Sequence, residues 1–340
     1  MSLERAAGEK LLIWFDGSEA PDELLGLLRE RPIGGVTLFR HLNGGAPAQV
    51  RALTAALQRA ARADGRPPLL ICADQEGGQL QAIGGCTAFP GNMALGATGD
   101  ADLARRVGAA MGAELAAVGV NVNYAPACDV NLNPRNPVIG TRSFGAGPAM
   151  VARLSAAVVD GLQGAGVAAV AKHFPGHGDT AQDSHHALAA LPHTRARLDA
   201  VELPPFVAAI AAGARLVMTA HLALPAITGD PRLPATLAPQ VLRGLLRDEL
   251  GFGGVVVSDA MNMDGLSAGG ALGENAVRAA AAGVDLLLLA PPNDRPEAYA
   301  ALLAAVGDGR LSADELRASA GRVRALKGWL AEQGQPALSV

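Results

Sequence analysis

The sequence predicts an α/β fold in which eight parallel strands alternate with helices in one domain. Eight short apolar runs recur along the 340 residues, and helical patterns separate them. Most of the runs are continuous rather than alternating, which is typical of parallel strands covered on both faces. Half of the residues are hydrophobic but only 3% are aromatic, so the core must consist mainly of Ala, Val and Leu.

The predicted strands are distributed along most of the chain. They span residues 11–15, 33–39, 69–73, 118–124, 167–172, 215–219, 254–258 and 284–289. About eight β-α units without a Gly/Ser linker favour a closed (β/α)8 TIM barrel, although alternation alone leaves a doubly wound open sheet possible. The glycine motifs of nucleotide-binding folds are absent. We expect residues 1–340 to form a single TIM-barrel domain.

The helices are predicted from their apolar faces and their caps. Apolar residues in segments 50–57 and 151–162 each fall on one helical face, and Gly164 is expected just past the second helix. Near the end of the chain, Ser312 is the predicted N-cap of one further helix, and Glu315 completes a capping box. This extra C-terminal helix is expected to pack outside the barrel.

Composition and charge exclude several classes of protein. The 28 Lys and Arg against 32 Asp and Glu give a net charge of −4 without a basic stripe, so no nucleic-acid partner is expected. No run of 18 apolar residues and no signal-peptide pattern occurs, so we expect a cytoplasmic protein without a membrane segment. Cys72, Cys86 and Cys128 form no C-x-x-C pair and predict neither disulfides nor a cysteine metal site.

Polar residues collect where the predicted strands end, which is where a barrel of this kind places its chemistry. Asp74 follows the third strand, Lys172 and His173 end the fifth, and Arg142 lies in the long loop after the fourth. Asp259 ends the seventh strand. Since an unpaired buried charge is costly, structure alone poorly explains a carboxylate there, although it could cap a following helix.

The segment 172–186 contains four of the seven histidines. His173 and His177 have the spacing of a zinc site on a helix, but the Pro-Gly pair between them breaks any helix. Asp183 and His185 favour a different chemistry, because a carboxylate close to an imidazole can orient it and raise its pKa for general acid/base catalysis. The segment therefore predicts a catalytic loop, and neither a metal nor a cofactor is expected.

Four stretches together resemble a known family. Residues 172–185 (KHFPGHGDTAQDSH) resemble the signature of family 3 glycoside hydrolases of the bacterial β-N-acetylglucosaminidase type. Residues 74–78 (DQEGG), 136–145 (NPVIGTRSFG) and 256–261 (VVSDAM) resemble the family in the same order. The resemblance implies a TIM barrel that hydrolyses terminal β-linked N-acetylglucosamine with retention. It also implies a small carbohydrate substrate, namely muropeptide fragments, in cytoplasmic recycling of peptidoglycan.

The resemblance further implies roles for seven residues. Asp259 matches the nucleophile, His185 the acid/base and Asp183 its partner in a dyad. The sugar-binding positions are matched by Asp74, Arg142, Lys172 and His173. In retaining hydrolysis one group protonates the leaving oxygen while a carboxylate attacks the anomeric carbon. A histidine in the first role avoids placing a second anion beside the nucleophile.

One position departs from the family pattern. After the DQEGG stretch the family usually has an Arg, a hydrophobic residue and, shortly after, a second Arg that contacts the sugar, whereas residues 79–82 here are Gln-Leu-Gln-Ala, with Ala82 at the second position. Ala82 cannot make that contact, so either another cation reaches the sugar or the specificity differs. A β-glycosidase of other specificity and a sugar-binding protein without activity are therefore alternatives. A glycoside phosphorylase is another, because an imidazole acid/base does not repel phosphate.

Overall fold

Eight parallel strands close into a barrel, as the sequence predicts. The computed structural model describes residues 1–182, 188–267, 270–290 and 294–333. Each strand is hydrogen-bonded to the strands before and after it in the chain, and the eighth pairs with the first. The strands are β1 Leu11–Ile13, β2 Gly35–Leu38, β3 Leu70–Ala73, β4 Val122–Asn123, β5 Ala168–Phe174, β6 Leu216–Thr219, β7 Val255–Ala260 and β8 Leu286–Leu289.

Helices surround the barrel, and short elements decorate its rim. The helices are α1 Leu3–Glu9, α2 Asp22–Glu30, α3 Pro47–Ala61, α4 Asn92–Thr98, α5 Ala101–Ala117, α6 Pro148–Gly164, α7 Arg195–Ala200, α8 Pro204–Ala211, α9 Pro225–Thr228, α10 Asp264–Ser267, α11 Leu272–Ala282, α12 Asp294–Gly307 and α13 Ala313–Glu332, with a π-helix at Gln240–Glu249. An antiparallel hairpin pairs Gln75–Gly77 with Leu80–Gln81 above β3. Within the described ranges, no helix combines the length and apolar character that crossing a membrane requires.

Aliphatic side chains fill the inside of the barrel, which confirms the predicted core. The buried interior cluster includes Leu12, Leu70, Val122, Val170, Leu216, Val257 and Leu288. Tyr124 adds an aromatic ring, and its hydroxyl lies 2.7 Å from Thr37 Oγ1. This pairing satisfies two buried polar groups at the level where the interior meets the rim.

Several strands are shorter than predicted, the fourth most of all, and one predicted helix end moves. The fourth strand begins at Val122 rather than at residue 118, because Val118 caps α5 and Gly119 turns the chain at φ +80°. A Cβ at Gly119 would lie 2.4 Å from Thr54 Oγ1, so this close approach requires glycine. Gly164 is the last residue of α6 rather than the residue past it, and Gly166 has the left-handed φ of +80°.

Helix α13 closes the N-terminal end of the barrel, which corrects the prediction that it packs outside. Val323, Leu326 and Leu330 join the buried interior cluster of the barrel. Lys327 Nζ lies 2.6 Å from Glu9 Oε2 and donates to a backbone carbonyl at 2.8 Å. A helix that covers one open end of the barrel leaves the opposite end for ligands.

The predicted cap of α13 is present. Ser312 is the N-cap, and its hydroxyl accepts a hydrogen bond of 3.4 Å from the backbone N–H of Glu315. The Glu315 carboxylate accepts from Arg243, at the edge of the π-helix segment. Glu315 thus links two helices, and of the predicted capping box the contacts of the described residues contain only the bond that Ser312 accepts.

Candidate active site

The strand ends bring five of the seven predicted site residues around one cavity. The cavity has a volume of about 360 Å³ and is lined by Asp74, Arg142, Lys172, His173 and Asp259. Its floor includes Tyr124, Met218 and Leu288, which continue the barrel interior. The two remaining predicted residues, Asp183 and His185, lie outside the described residues.

Irregular strand pairing places the functional side chains on β5 and β7. The register of β5 against β6 shifts between Ala171 and Phe174, and that of β7 against β8 shifts between Val257 and Ala260. Such bulges reorient side chains and are frequent beside active sites. In β7 the shift brackets Asp259, whose Oδ1 accepts a hydrogen bond of 2.9 Å from the N–H of Ala260.

One side of the cavity is a charged wall formed by Asp74, Arg142 and Lys172, with Glu76 behind them. Lys172 holds the two carboxylates of this wall together. Its Nζ lies 2.5 Å from Asp74 Oδ1 and 2.5 Å from Glu76 Oε1, and its side chain is 1% exposed. Arg142 donates two hydrogen bonds to the Glu76 carboxylate, at 2.8 and 3.0 Å. The sequence analysis missed Glu76, although it belongs to the DQEGG stretch, because its partners lie 66 and more residues away.

The charges in this cluster shift pKa values in opposite directions. Burial opposes the ionisation of Glu76, but the charges of Lys172 and Arg142 outweigh it and lower the pKa to about 2. For Asp74 burial is the larger effect, and the pKa lies above its ordinary value despite Lys172. Burial also disfavours the charged form of Lys172, but the two carboxylates raise its pKa. Glu76 and Lys172 therefore stay charged around neutral pH.

His173 is held as a neutral imidazole between an anion and a cation. Its Nδ1 lies 2.7 Å from Asp129 Oδ2, and its Nε2 lies 3.2 Å from an Arg142 nitrogen. A carboxylate accepts and a guanidinium donates, so we assign the proton to Nδ1. Burial lowers the pKa of His173 well below its usual value, and the charges of Arg142 and Lys172 lower it further.

Asp129 anchors the start of the histidine-containing segment 172–186 and was also missed by the sequence analysis. It is fully buried, and its Oδ1 accepts hydrogen bonds from the backbone N–H of His177 at 2.6 Å and of His173 at 3.3 Å. Burial raises the pKa of Asp129 to about 6, although His177 and the backbone donors oppose the shift. Because its carboxylate fixes both ends of the tight turn after β5, it positions the segment that leads to Asp183 and His185.

His221 supports the end of β7. It is buried, its Nδ1 lies 2.8 Å from Thr236 Oγ1, and its Nε2 lies 3.0 Å from the carbonyl oxygen of Ala260. Since a carbonyl only accepts, Nε2 carries a proton and donates it. His221 therefore fixes the backbone next to Asp259 and acts as a positioning residue.

Asp179 and His193 pair across the part of the chain that contains Asp183 and His185. Asp179 Oδ2 lies 2.9 Å from His193 Nε2 and 3.3 Å from an Arg197 nitrogen. Arg197 also lies 3.2 Å from Glu202 Oε1. Arg197 already supplies the positive charge between these acidic groups, so we interpret the residues as a structural ion-pair cluster.

Most of the chain matches one known protein family. The model of the glycosyl hydrolase family 3 N-terminal domain matches residues 3–326. The chain belongs to glycosyl hydrolase family 3. The match confirms the family that the sequence motifs resemble, and the closed barrel agrees with it.

Family 3 relatives resemble the chain along most of its length. β-Hexosaminidase A of Pseudoalteromonas piscicida is 41% identical over 331 residues, covering 90% of this chain but 55% of that protein. A β-hexosaminidase of Alkalilimnicola ehrlichii is 40% identical over 302 residues, covering 86% of this chain and 83% of that protein. The structure of a family 3 β-N-acetylglucosaminidase from Paenibacillus sp. str. FPU-7 has a TM-score of 0.94 and 49% identity, covering 97% of this chain and 63% of that one. The chain thus spans little more than half of the first of these relatives.

Arg40 lines the part of the cavity where this family 3 chain lacks the expected arginine. Ala82 and Arg40 both line the cavity, and Arg40 lies two residues past the end of β2. A Cβ at Gly84 would lie 2.8 Å from Arg40 Nη1, so the guanidinium lies against the Gly84 backbone, two residues beyond Ala82. A different strand thus brings a cation to the same wall. Its position directly after a predicted strand is the signal that could have identified it.

The low pKa of Glu76 predicts a pH-dependent contribution to stability. A folded-state pKa of about 2 against an ordinary value of 4.5 means that ionised Glu76 stabilises the fold above pH 4.5. This contribution is lost as pH falls toward 2. We expect the free energy of unfolding of Glu76→Gln to lie below that of the unmodified protein, with the gap shrinking by about 3 kcal/mol between about pH 5 and pH 2.

Urea unfolding at a series of pH values measures this gap. Glu19→Gln, at an exposed carboxylate, is the matched control and should show a small gap at every pH. A gap for Glu76→Gln that stays constant across the acid range would contradict the assigned ion cluster.

Proposed function

We propose that the protein is a retaining glycoside hydrolase that releases terminal β-linked N-acetylglucosamine. Asp259 is the nucleophile, and His185 with Asp183 is the acid/base dyad. The observation that carries this proposal is the carboxylate of Asp259, which reaches from the end of β7 into the cavity that Asp74, Arg142 and their partners line. The relatives named β-hexosaminidase support N-acetylglucosamine as the sugar.

The charged wall binds and orients the sugar in this proposal. Asp74, whose side chain is 21% exposed, offers carboxylate oxygens to hydroxyl groups, while Lys172 and Arg142 offer N–H donors. Their mutual ion pairs and the bond between His173 and Asp129 fix these side chains before substrate arrives. Preorganised polar groups lose little freedom on binding and so favour one substrate orientation.

The reaction proceeds by two displacements at the anomeric carbon. In the first, the Asp259 carboxylate forms a bond to that carbon while the bond to the leaving oxygen breaks and His185 gives its proton to this oxygen. In the second, water attacks the same carbon, His185 takes a proton from the water, and the bond to Asp259 breaks. Two inversions return the original β configuration. Asp183 orients the imidazole and favours its protonated form.

The natural substrates in this proposal are muropeptide fragments of the cell wall in the cytoplasm. The motif resemblance supports this substrate class, and the β-hexosaminidase names of the relatives are consistent with it. We also propose that residues 1–340 act as one domain, since the family match extends over residues 3–326.

A turnover screen tests the proposed function. The unmodified protein is assayed with p-nitrophenyl β-N-acetylglucosaminide, β-glucoside and β-xyloside, each with and without inorganic phosphate. The proposal predicts the highest kcat/KM for the N-acetylglucosaminide, with free sugar as the product in both buffers. A sugar 1-phosphate would identify a phosphorylase instead. Binding of N-acetylglucosamine in calorimetry without turnover would identify a sugar-binding protein.

Arg40 is expected to replace the missing arginine in sugar binding. Arg40→Ala should raise the KM for p-nitrophenyl β-N-acetylglucosaminide about tenfold, the lower end for a charge-assisted hydrogen bond to a hydroxyl. Ala82→Arg in the same chain should then recover most of the loss, because it restores a cation on the same wall.

Steady-state kinetics of the single and double variants measure this compensation. Arg51→Ala, which removes an exposed arginine of α3, serves as the control for charge loss and should leave KM unchanged. An unchanged KM in Arg40→Ala would show that the sugar does not reach this cation.

A further inference from the structure

A second cavity lies at the rim of the barrel beside the cavity that contains Asp74 and Asp259, which we call the sugar cavity. It has a volume of about 620 Å³ and shares Phe39, His41 and Ala260 with the sugar cavity. Ala260 directly follows Asp259, so the two cavities meet beside the carboxylate that forms the bond to the anomeric carbon. The part of a substrate that extends beyond this carbon therefore has a space to enter.

The second cavity lies on the side of the rim away from the charged wall. Its lining comes from the ends of β1, β2, β7 and β8, through Trp14, Phe39, Ala260 and Ala290. The ion cluster comes from β3, β5 and the loop after β4. The rim is thus divided into a charged half and an aromatic half beside it.

Aromatic rings form the wall of the second cavity. Trp14 and Phe39 pack edge to face with centroids 5.1 Å apart, and the Phe39 and His41 rings are 6.0 Å apart. Phe, Trp and Tyr make up only 3% of the chain, so the neighbouring Trp14 and Phe39 rings at the rim are not explained by composition. Packing against Phe39 holds the half-buried Trp14 ring in one orientation.

Polar groups beside these rings match the remaining chemistry of a sugar. Asp16 and Asn262 line the same cavity, and both are exposed. A pyranose has an apolar face of C–H groups and an edge of hydroxyl groups, so it needs an apolar surface together with hydrogen-bonding partners. A few polar groups beside an aromatic wall are the usual composition of such a site.

We propose that Trp14, with Phe39 and His41, forms a leaving-group subsite that binds a second pyranose ring. This inference rests on the proposed function, because it assigns the ring to the group that His185 protonates. Two leaving groups contain such a ring, the N-acetylglucosamine of a chitooligosaccharide and the muramic acid residue of a muropeptide. In both, a hydroxyl oxygen of the pyranose is linked to the anomeric carbon.

Substrates with and without a second ring test the subsite. The ring-bearing substrates are N,N′-diacetylchitobiose and the disaccharide of N-acetylglucosamine with anhydro-N-acetylmuramic acid, and trifluoroethyl β-N-acetylglucosaminide has a small leaving group. In Trp14→Ala the ratio of kcat/KM between ring-bearing and trifluoroethyl substrates should fall at least about tenfold, equivalent to about 1.4 kcal/mol. Trp14→Phe should retain most of the ratio.

The other tryptophan supplies a matched control. Trp329 lies in α13 at the closed end of the barrel, where the Arg215 guanidinium lies 4.5 Å from its ring centroid. Trp329→Ala removes the same side chain far from the rim and should leave the ratio unchanged. An unchanged ratio in Trp14→Ala would overturn the proposal, and a fall for one disaccharide alone would identify the source of the ring.

Fluorescence tests the subsite independently of turnover. The chain has two tryptophans, so Trp329→Phe leaves Trp14 as the sole indole. In this variant carrying Asp259→Asn, saturating disaccharide should shift the Trp14 emission to shorter wavelength as the ring loses water. Absence of a shift while calorimetry shows binding would overturn the subsite. If the unmodified protein hydrolyses none of the substrates, the proposed function fails, and this titration still decides the subsite.

Discussion

Replacement of Asp259 by Asn is expected to reduce turnover at least about 10³-fold for every β-N-acetylglucosaminide, because no covalent intermediate can form without the carboxylate. The fold should be retained. Asn keeps the shape of the side chain, and its Oδ1 can still accept the hydrogen bond that Asp259 Oδ1 accepts from Ala260 at 2.9 Å. Steady-state kinetics and thermal unfolding of the same preparation separate these two effects.

A smaller side chain at this position allows a sharper test of the role. In Asp259→Ala, azide can enter the vacated space and attack the anomeric carbon of an activated aryl substrate directly, which gives a glycosyl azide of inverted α configuration. Asp264→Asn changes an exposed carboxylate five residues further along and should leave kcat within about twofold. A near-normal rate in Asp259→Asn would remove this residue from the mechanism.

Replacement of His185 by Ala is expected to separate substrates by their leaving groups. Poor leaving groups need protonation in the first step and should lose about 10²–10⁴-fold, whereas activated aryl groups should be spared in that step. Breakdown of the glycosyl-enzyme should be slow for both classes, since no base activates the water. Added azide should accelerate this second step, because it attacks without base assistance. His186→Ala, at the adjacent histidine, is the matched control.

Asp183→Ala is expected to show a milder form of the same pattern. It removes the partner that orients the imidazole and raises its pKa, but it leaves the imidazole itself. The first step needs the protonated histidine, so its alkaline limb should move to lower pH in this variant. Uniform loss for all leaving groups without azide rescue would contradict the dyad. His177, which lines the cavity, would then be the first candidate for the proton donor, before Asp179, which belongs to the structural ion-pair cluster with His193.

The barrel and the position of its site follow from local patterns in the sequence. Continuous apolar runs predict buried parallel strands, and all eight are present, because burial on both faces leaves no polar position to interrupt a run. Parallel strands in a closed barrel all end on one rim. Polar residues at the strand ends, such as Asp74, Lys172 and Asp259, therefore had to meet there. No contact between distant residues was needed for either prediction.

The missed residues depend on contacts that form only when the barrel closes. Glu76 and Asp129 matter because they pair with Arg142 and His173 across 66 and 44 positions of the chain. Arg40 reaches the wall beside Ala82 from a neighbouring strand. Local periodicity likewise identifies the apolar face of α13, but it does not say that this face closes the end of the barrel.

Trapping of the glycosyl-enzyme tests the central claim most directly. A 5-fluoro-N-acetylglucosaminyl fluoride combines a good leaving group with a fluorine that destabilises positive charge at the anomeric carbon, so the intermediate accumulates. The account predicts that the protein gains the mass of one fluorosugar and that peptide mapping finds it on Asp259, with no gain in Asp259→Asn. A label on another residue, or turnover of the aryl substrate without any trapped intermediate, would contradict it.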